Sequence, residues 1–185
     1  MGLDNPGRQA VVDIGYGGTI QDYLNRLVAI PVHGYYMMTD QRSARVTQKH
    51  KVIIRGCYLQ DVEQAGTSPL MYLRSFELEK FLSSNDAQVV HYELDQENNL
   101  TALYRELSND ETSGSSFRTE LQLGAIRYAS DACSIRKRIL PSYKPSCAIA
   151  KQLYEAFITQ QSQLEKELLL KVALDDHYSG RGIVR

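Results

Sequence analysis

The feature that most constrains this chain is a strand, a glycine loop, a helix and a second strand packed into its first forty residues. Residues 9–15 (Gln-Ala-Val-Val-Asp-Ile-Gly) form a short apolar run that ends on glycine. Such a run reads as a buried strand. From Thr19, apolar residues recur at Ile20, Tyr23, Leu24 and Leu27, which is one face of an amphipathic helix. Thr19 suits an N-cap, and Asp22 three residues on imitates a capping box. Pro31 ends the helix, and residues 32–38 (Val-His-Gly-Tyr-Tyr-Met-Met) read as a second strand. Strand, helix and strand within about thirty residues make a βαβ unit, whose two strands pair in parallel.

The loop inside that unit is the best candidate for touching a ligand. A helix start leaves its first amides unpaired and carries partial positive charge. A glycine-rich turn lets an anion come close to that backbone. Gly15, Gly17, Gly18 and Thr19 meet these needs, with Asp13 near the carboxyl end of the strand and Gln21 one turn in. A P-loop would need Gly-Lys-Ser/Thr, and no lysine follows Gly18. The dinucleotide pattern Gly-x-Gly-x-x-Gly is not completed. The pattern also looks like the first phosphate loop of actin-like ATPases, which are much longer and need a second loop. A purely structural strand-to-helix turn is the competing explanation.

The rest of the chain gives a coarser picture. Residues 39–51 are polar and basic and read as a loop. Residues 52–59 read as a third strand or the approach to a helix. Ser68-Pro69 starts a helix running to about Leu82. Residues 87–94 and 100–107 flank Asp95-Gln96-Glu97-Asn98-Asn99 and read as a hairpin. Residues 109–116 read as a loop, followed by a helix from Ser116 with Phe117, Leu121, Ala125 and Tyr128 on its inner face. Ile149, Leu153, Ala156 and Phe157 mark a further helix. Ser162 and Glu165 form a capping box that opens the last.

Composition bounds the function classes. The chain has 185 residues, 43% hydrophobic and 23% charged, which supports a packed core. A net charge of −1 argues against nucleic acid or an anionic membrane as partner. No apolar run is long enough to span a bilayer, and residues 1–8 lack a signal-peptide pattern. Three scattered cysteines suggest a reduced, cytoplasmic setting. The early first strand fits a self-contained enzyme or a fragment of a longer multidomain protein.

Other constellations are weaker. Asp175-Asp176-His177 could hold a divalent cation, but consecutive residues rarely converge on one metal. Glu77 and Glu79 point to different helix faces. Arg136-Lys137-Arg138 with Lys144 reads as a solvated face. Tyr16, Tyr35 and Tyr36 lie near the loop and could stack on a sugar or base, although Tyr35 and Tyr36 point to opposite sides of their strand.

Residues 13–21, followed by Gly34-Tyr35-Tyr36, resemble a segment of large bacterial proteins known as predicted hydrolases of the HAD superfamily. There the pattern is Asp-Ile-Gly-aromatic-x-Gly-Thr/Ser-x-Gln and then Gly-Tyr/Leu-Tyr. Glu79-Lys80-Phe81-Leu82-Ser83-Ser84, Val89-Val90-His91-Tyr92 and Gln122-Leu123-Gly124-Ala125 resemble later stretches of that segment in the same order. The resemblance implies a region downstream of the phosphatase domain, in proteins associated with glycosyltransferases and surface polysaccharide synthesis. A HAD nucleophile needs Asp-x-Asp, whereas Asp13 precedes Ile14-Gly15, so phosphatase activity is not expected of this chain.

The expected fold is α/β: a small, mainly parallel sheet beginning with the βαβ unit, extended by a hairpin and covered by a helical C-terminal half, in one domain over 1–185. The expected function is an accessory domain of a HAD-like hydrolase that binds a phosphorylated small molecule or nucleotide-sugar. The ligand-binding residues would be Asp13, Gly15, Gly17, Gly18, Thr19, Gln21, Tyr36 and Glu79. Asp13 would order the loop or coordinate a divalent cation, and Gln21 would read a polar group of the ligand. A HAD or glycosyltransferase domain of the same protein would be the partner. The alternatives are a non-catalytic docking scaffold and a small free-standing enzyme that uses Asp13, with the Asp175–His177 tail, on a phosphorylated substrate.

Overall fold

The computed structural model describes residues 7–63, 68–176 and 182–184. Its first strands are β1 (Gln9–Asp13), β2 (Val32–Asp40) and β3 (Ile54–Val62), which form a parallel sheet in that order. Helix α1 (Thr19–Leu27) links β1 to β2, and α2 (Gln41–His50) links β2 to β3. The βαβ reading of residues 9–38 therefore holds, and a second such unit follows it. Short α3 (Leu70–Leu73) and α4 (Ser75–Leu82) come next, then strands β4 (Val89–Leu94) and β5 (Leu100–Tyr104). The chain continues as α5 (Asn109–Arg138), α6 (Cys147–Thr159), α7 (Gln163–Leu170), β6 (Leu174–Asp176) and β7 (Gly182–Val184). The protein is mixed α/β, with a helical C-terminal half.

Two compact units divide these elements. The first holds residues up to Phe76 and the returning segment Lys144–Gln160. The second holds Glu77–Tyr143 and the residues from Gln161 onward. In the first unit the sheet has one covered face. Val32, Gly34, Tyr36 and Met38 alternate inward along β2, and Tyr36, Val46, Val52 and Ile54 form a core cluster. On the opposite face Val12 and Tyr35 remain exposed.

Helix α1 forms where expected but is turned about its axis. Ile20, Tyr23 and Leu27 are 61%, 57% and 80% exposed, while Gln21 is fully buried. The reason is polar. Gln21 Nε2 and Asn25 Nδ2 both donate to the Val32 carbonyl, and Val32 N donates to Asn25 Oδ1. These residues lie four apart on one helix face, so they clamp the start of β2 and turn the apolar stripe outward. Thr19 is not the cap either. Gly18 takes that position in a left-handed conformation, and no side chain caps the helix. Asp22 instead bonds Arg26, Lys49 and His50 at 2.5, 2.7 and 2.5 Å, tying α1 to α2. The Lys49 and His50 hydrogen bonds hold its carboxyl far below the usual carboxylate range.

Two expected loops are helices. Residues 41–50 form α2 because Asp40 accepts from Arg42 N as an N-cap, while Lys51 closes the far end in a left-handed conformation. Only Ser43 and Val46 are buried along it, so its apolar signal is faint. Residues 109–116 open α5, where Ser108 and Glu111 make a full capping box. The expected helix from 69 to 82 breaks at Arg74 into α3 and α4. The hairpin forms as β4–β5 but stands as its own sheet rather than extending the parallel one.

The second unit is held by buried polar groups. Arg118 is 3% exposed and donates to Lys80 O, Ser84 O, Asn85 Oδ1 and Ala173 O. Gln122, four residues on, donates to Phe81 O and Ser83 O. Together they satisfy carbonyls at the end of α4, which a helix otherwise leaves unpaired. Arg105 binds Glu111 through both carboxylate oxygens, at 2.8 and 2.5 Å. Further along α5 the expected inner face is bare: Leu121 is 37% and Tyr128 66% exposed.

Candidate functional site

The glycine loop lies at the carboxyl ends of β1 and β2, the edge where open α/β sheets place ligands. Its geometry is set residue by residue. Asp13 Oδ1 accepts from Gly15 N at 2.9 Å, an Asx turn that folds the chain back after β1. Gly18 has φ +73°, which a side-chain residue adopts only with strain, and a Cβ there would press on Ile54 and Val46 of the core. Gly17 is open for a different reason. A Cβ at Gly17 would stand 3.1 Å from the Arg42 guanidinium carbon. The chain's own cation therefore occupies the close approach that this glycine permits.

Arg42 belongs to a cluster that the sequence did not reveal. Its Nη2 lies 2.7 Å from Asp40 Oδ2, and its backbone N donates to Asp40 Oδ1. Tyr72 donates its hydroxyl to Asp40 Oδ2 at 3.0 Å. The Arg42 guanidinium sits over the Tyr16 ring at 5.7 Å, and Tyr16 packs edge-on against Tyr72 at 5.2 Å. Asp40 is fully buried. Burial pushes its carboxyl up, but the Arg42 and Tyr72 hydrogen bonds outweigh this and hold it below its ordinary value. The hydrogen bond to Asp40 raises the Arg42 guanidinium in turn. These donors favour the ionised form of the Asp40 carboxyl. The Arg42 side chain is half exposed although its partner is buried.

The expected site residues fall into three places. Asp13, Gly15, Gly17, Gly18 and Thr19 come together around the loop. Thr19 is exposed, and its amide opens α1 without a side-chain cap. Gln21 and Tyr36 are internal. Gln21 Nε2 donates to Val32 O at 2.6 Å, and Tyr36 donates its hydroxyl to Gln21 Oε1 at 3.2 Å. The Gln21 amide lies over Gly34, where any Cβ would overlap it. Gln21, Gly34 and Tyr36 thus form one structural joint between α1 and β2, and Gln21 has no free group for a ligand. Burial, helped by the charge of Asp13, pushes the Tyr36 hydroxyl up to about 12. Glu79 lies on α4 in the second unit.

Tyr35 is 48% exposed on the open face of the sheet. Arg136, Lys137 and Arg138 form the exposed last turn of α5, where positive charge suits the helix end. Asp175 and Asp176 lie in β6, and His177 falls outside the described residues. Among the described residues, no three His, Cys, Asp or Glu side chains gather to hold a metal ion, and no helix is long and apolar enough to cross a membrane.

No family model, curated protein or solved structure matches this chain.

Proposed function

We propose that this chain is a phosphate- or nucleotide-sugar-binding accessory module of a HAD-like hydrolase that serves surface polysaccharide synthesis in the bacterial cytoplasm. One observation carries the binding half of the proposal. The uncapped start of α1 and the half-exposed Arg42 side chain stand side by side at Gly17. Amides of Gly17, Gly18 and Thr19 offer hydrogen bonds, and the helix end favours negative charge. Arg42 adds a planar donor matched to phosphate oxygens. Asp13 fixes the turn, and Tyr16 offers a ring edge for a sugar or base. The HAD connection rests on the sequence resemblance alone, strongest at residues 13–21 and 34–36 and weaker at 79–84, 89–92 and 122–125.

Thermal unfolding tests this directly. Inorganic phosphate, sugar phosphates and nucleotides are titrated against the wild type and Arg42→Gln. Ligand at a hundredfold excess over Kd adds about 2.7 kcal/mol to stability. The expected result is a dose-dependent rise in midpoint that Arg42→Gln removes, with the variant still folding cooperatively. No shift with any of the three, or equal shifts in both proteins, defeats the reading.

A docking scaffold is the second reading, and a specific observation favours it. Leu123, Ile126, Tyr128 and Ile139 on and just after α5 are 53–76% exposed. Side chains of that size in one stretch mark contact surfaces. A chain that binds no phosphate and self-associates or precipitates until its partner domain is supplied would support docking instead.

A further inference from the structure

We infer that a cavity in the second unit binds a small polyhydroxy carboxylate, a ligand class separate from the phosphate proposed for the glycine loop. The cavity measures about 250 Å³ and is lined by residues 83–88 with Arg105, Leu107, Glu111, Arg118 and Leu174. All of these belong to the second unit. Four chain segments converge there: the turn after α4, the stretch after β5, the first turns of α5 and the start of β6. The motif over residues 79–84 thus ends at the cavity wall. Gln122 holds that wall by donating to Phe81 O and Ser83 O, both at 2.8 Å.

Most polar groups of the lining are spent on one another. Arg105 grips Glu111 through both carboxylate oxygens. Ser84 donates its hydroxyl to Asp86 Oδ2 and accepts from Asp86 N. Asn85 donates to Thr119 Oγ1 and accepts from Arg118. Two groups stay open. Gln88 Oε1 is buried and has no hydrogen-bond partner. A buried acceptor in that state is costly and calls for a donor. Arg118 donates to the Lys80, Ser84 and Ala173 carbonyls and to Asn85 Oδ1, which leaves one N–H of Nη2 over from its guanidinium. Glu111, the buried acid of the lining, is committed to Arg105, and Asp86, the other acid, is exposed. The inner wall therefore carries net positive charge, and its open N–H suits one carboxylate. A hydroxyl of the same molecule supplies the donor that Gln88 Oε1 lacks. An ammonium in that place would add a like charge beside Arg105 and Arg118. A phosphate dianion asks for more donors than one N–H provides. At interior packing density the cavity holds roughly ten to fifteen non-hydrogen atoms, which is the size of a hydroxy acid of about six carbons.

The test titrates the full chain, labelled with nitrogen-15, with D-gluconate and follows its amide resonances. Sorbitol, which has the hydroxyls without the charge, and hexanoate, which has the charge without the hydroxyls, serve as controls of matched carbon number. Gluconate is expected to bind at least about tenfold more tightly than either control, the factor that one good hydrogen bond supplies. Its shifts are expected at residues 83–88, Arg105 and Arg118, and an equal concentration of inorganic phosphate is expected not to displace it. Gln88→Leu is expected to bring gluconate down to the level of hexanoate. Gln88→Glu, which keeps the shape and adds a negative charge, is expected to abolish binding. Equal affinity for gluconate and either control, no shift with gluconate, or shifts confined to residues 13–19 would each overturn the inference. Displacement by equimolar phosphate, or unchanged gluconate binding in both variants, would overturn it as well.

Discussion

Replacing Gln21 with leucine separates a structural amide from a ligand-reading one. Gln21 makes two buried bonds, one to Val32 O and one from the Tyr36 hydroxyl. Each such neutral bond contributes about 1 kcal/mol net, and a buried hydroxyl left without a partner costs about 1–3 kcal/mol. Val32 O keeps its 3.1 Å bond from Asn25, so only Tyr36 is stranded. Leucine is apolar and similar in length, and returns part of the loss by burial. The expected net cost of Gln21→Leu is about 2–3 kcal/mol. Tyr36→Phe alone should cost about 1 kcal/mol. The double variant should cost no more than Gln21→Leu, because no polar group is then stranded, giving a coupling of about 1 kcal/mol. The chain has no tryptophan, so urea unfolding is followed by far-ultraviolet circular dichroism. If Gln21→Leu unfolds within about 0.5 kcal/mol of the wild type, a spread ordinary for surface positions, yet loses its phosphate-dependent shift, the buried-joint argument is refuted.

Other expectations follow from single contacts. Tyr36 holds its proton to about pH 12 in the folded state, against 10.0 unfolded. Above pH 10 the unfolded chain therefore binds fewer protons, so stability should fall between pH 10 and 12, and Tyr36→Phe should flatten that fall. The Arg105 hydrogen bond lowers Glu111 from 4.5 to about 2. Its contribution is complete above pH 4.5 and should be lost as pH drops toward 2, a slope that Glu111→Gln should remove from acid-unfolding curves. Two glycines of α5 should answer oppositely to alanine. A Cβ on Gly114 would overlap the Lys171 carbonyl, so Gly114→Ala should lower the urea midpoint, whereas Gly124 meets nothing within 4 Å and Gly124→Ala should stabilise by about 1 kcal/mol.

Much of the fold was legible because period and punctuation agreed. The first βαβ unit, the hairpin and the Ser162–Glu165 cap each combine a hydrophobic pattern with a turn or capping residue. The misses share one cause. Helix α2 buries only Ser43 and Val46, and the first turns of α5 are held by Ser108, Glu111 and Arg105 rather than by apolar contact. Polar contacts leave no hydrophobic period. Ser108 followed by Glu111 was a capping box in plain view, and could have moved the start of α5 to Asn109. The rotation of α1 has the same origin, since a hydrophobic stripe cannot announce that Gln21 and Asn25 will bond Val32. At the loop, the glycines were visible and Arg42 was not, because nothing in a basic stretch marks which cation folds back. Arg118 was equally hidden, being one charge in a long polar helix.

The division of the first unit into two sequence segments has a consequence for synthesis. On a ribosome, β1 to β3 emerge well before α6. Roughly 90 residues must still be added, which takes on the order of 5–20 s at usual elongation rates. Throughout that interval the surface of β3 that α6 will cover has no occupant, and a nascent chain would present it to chaperones or to neighbouring copies. A chain truncated before Cys147 would stay in that state permanently.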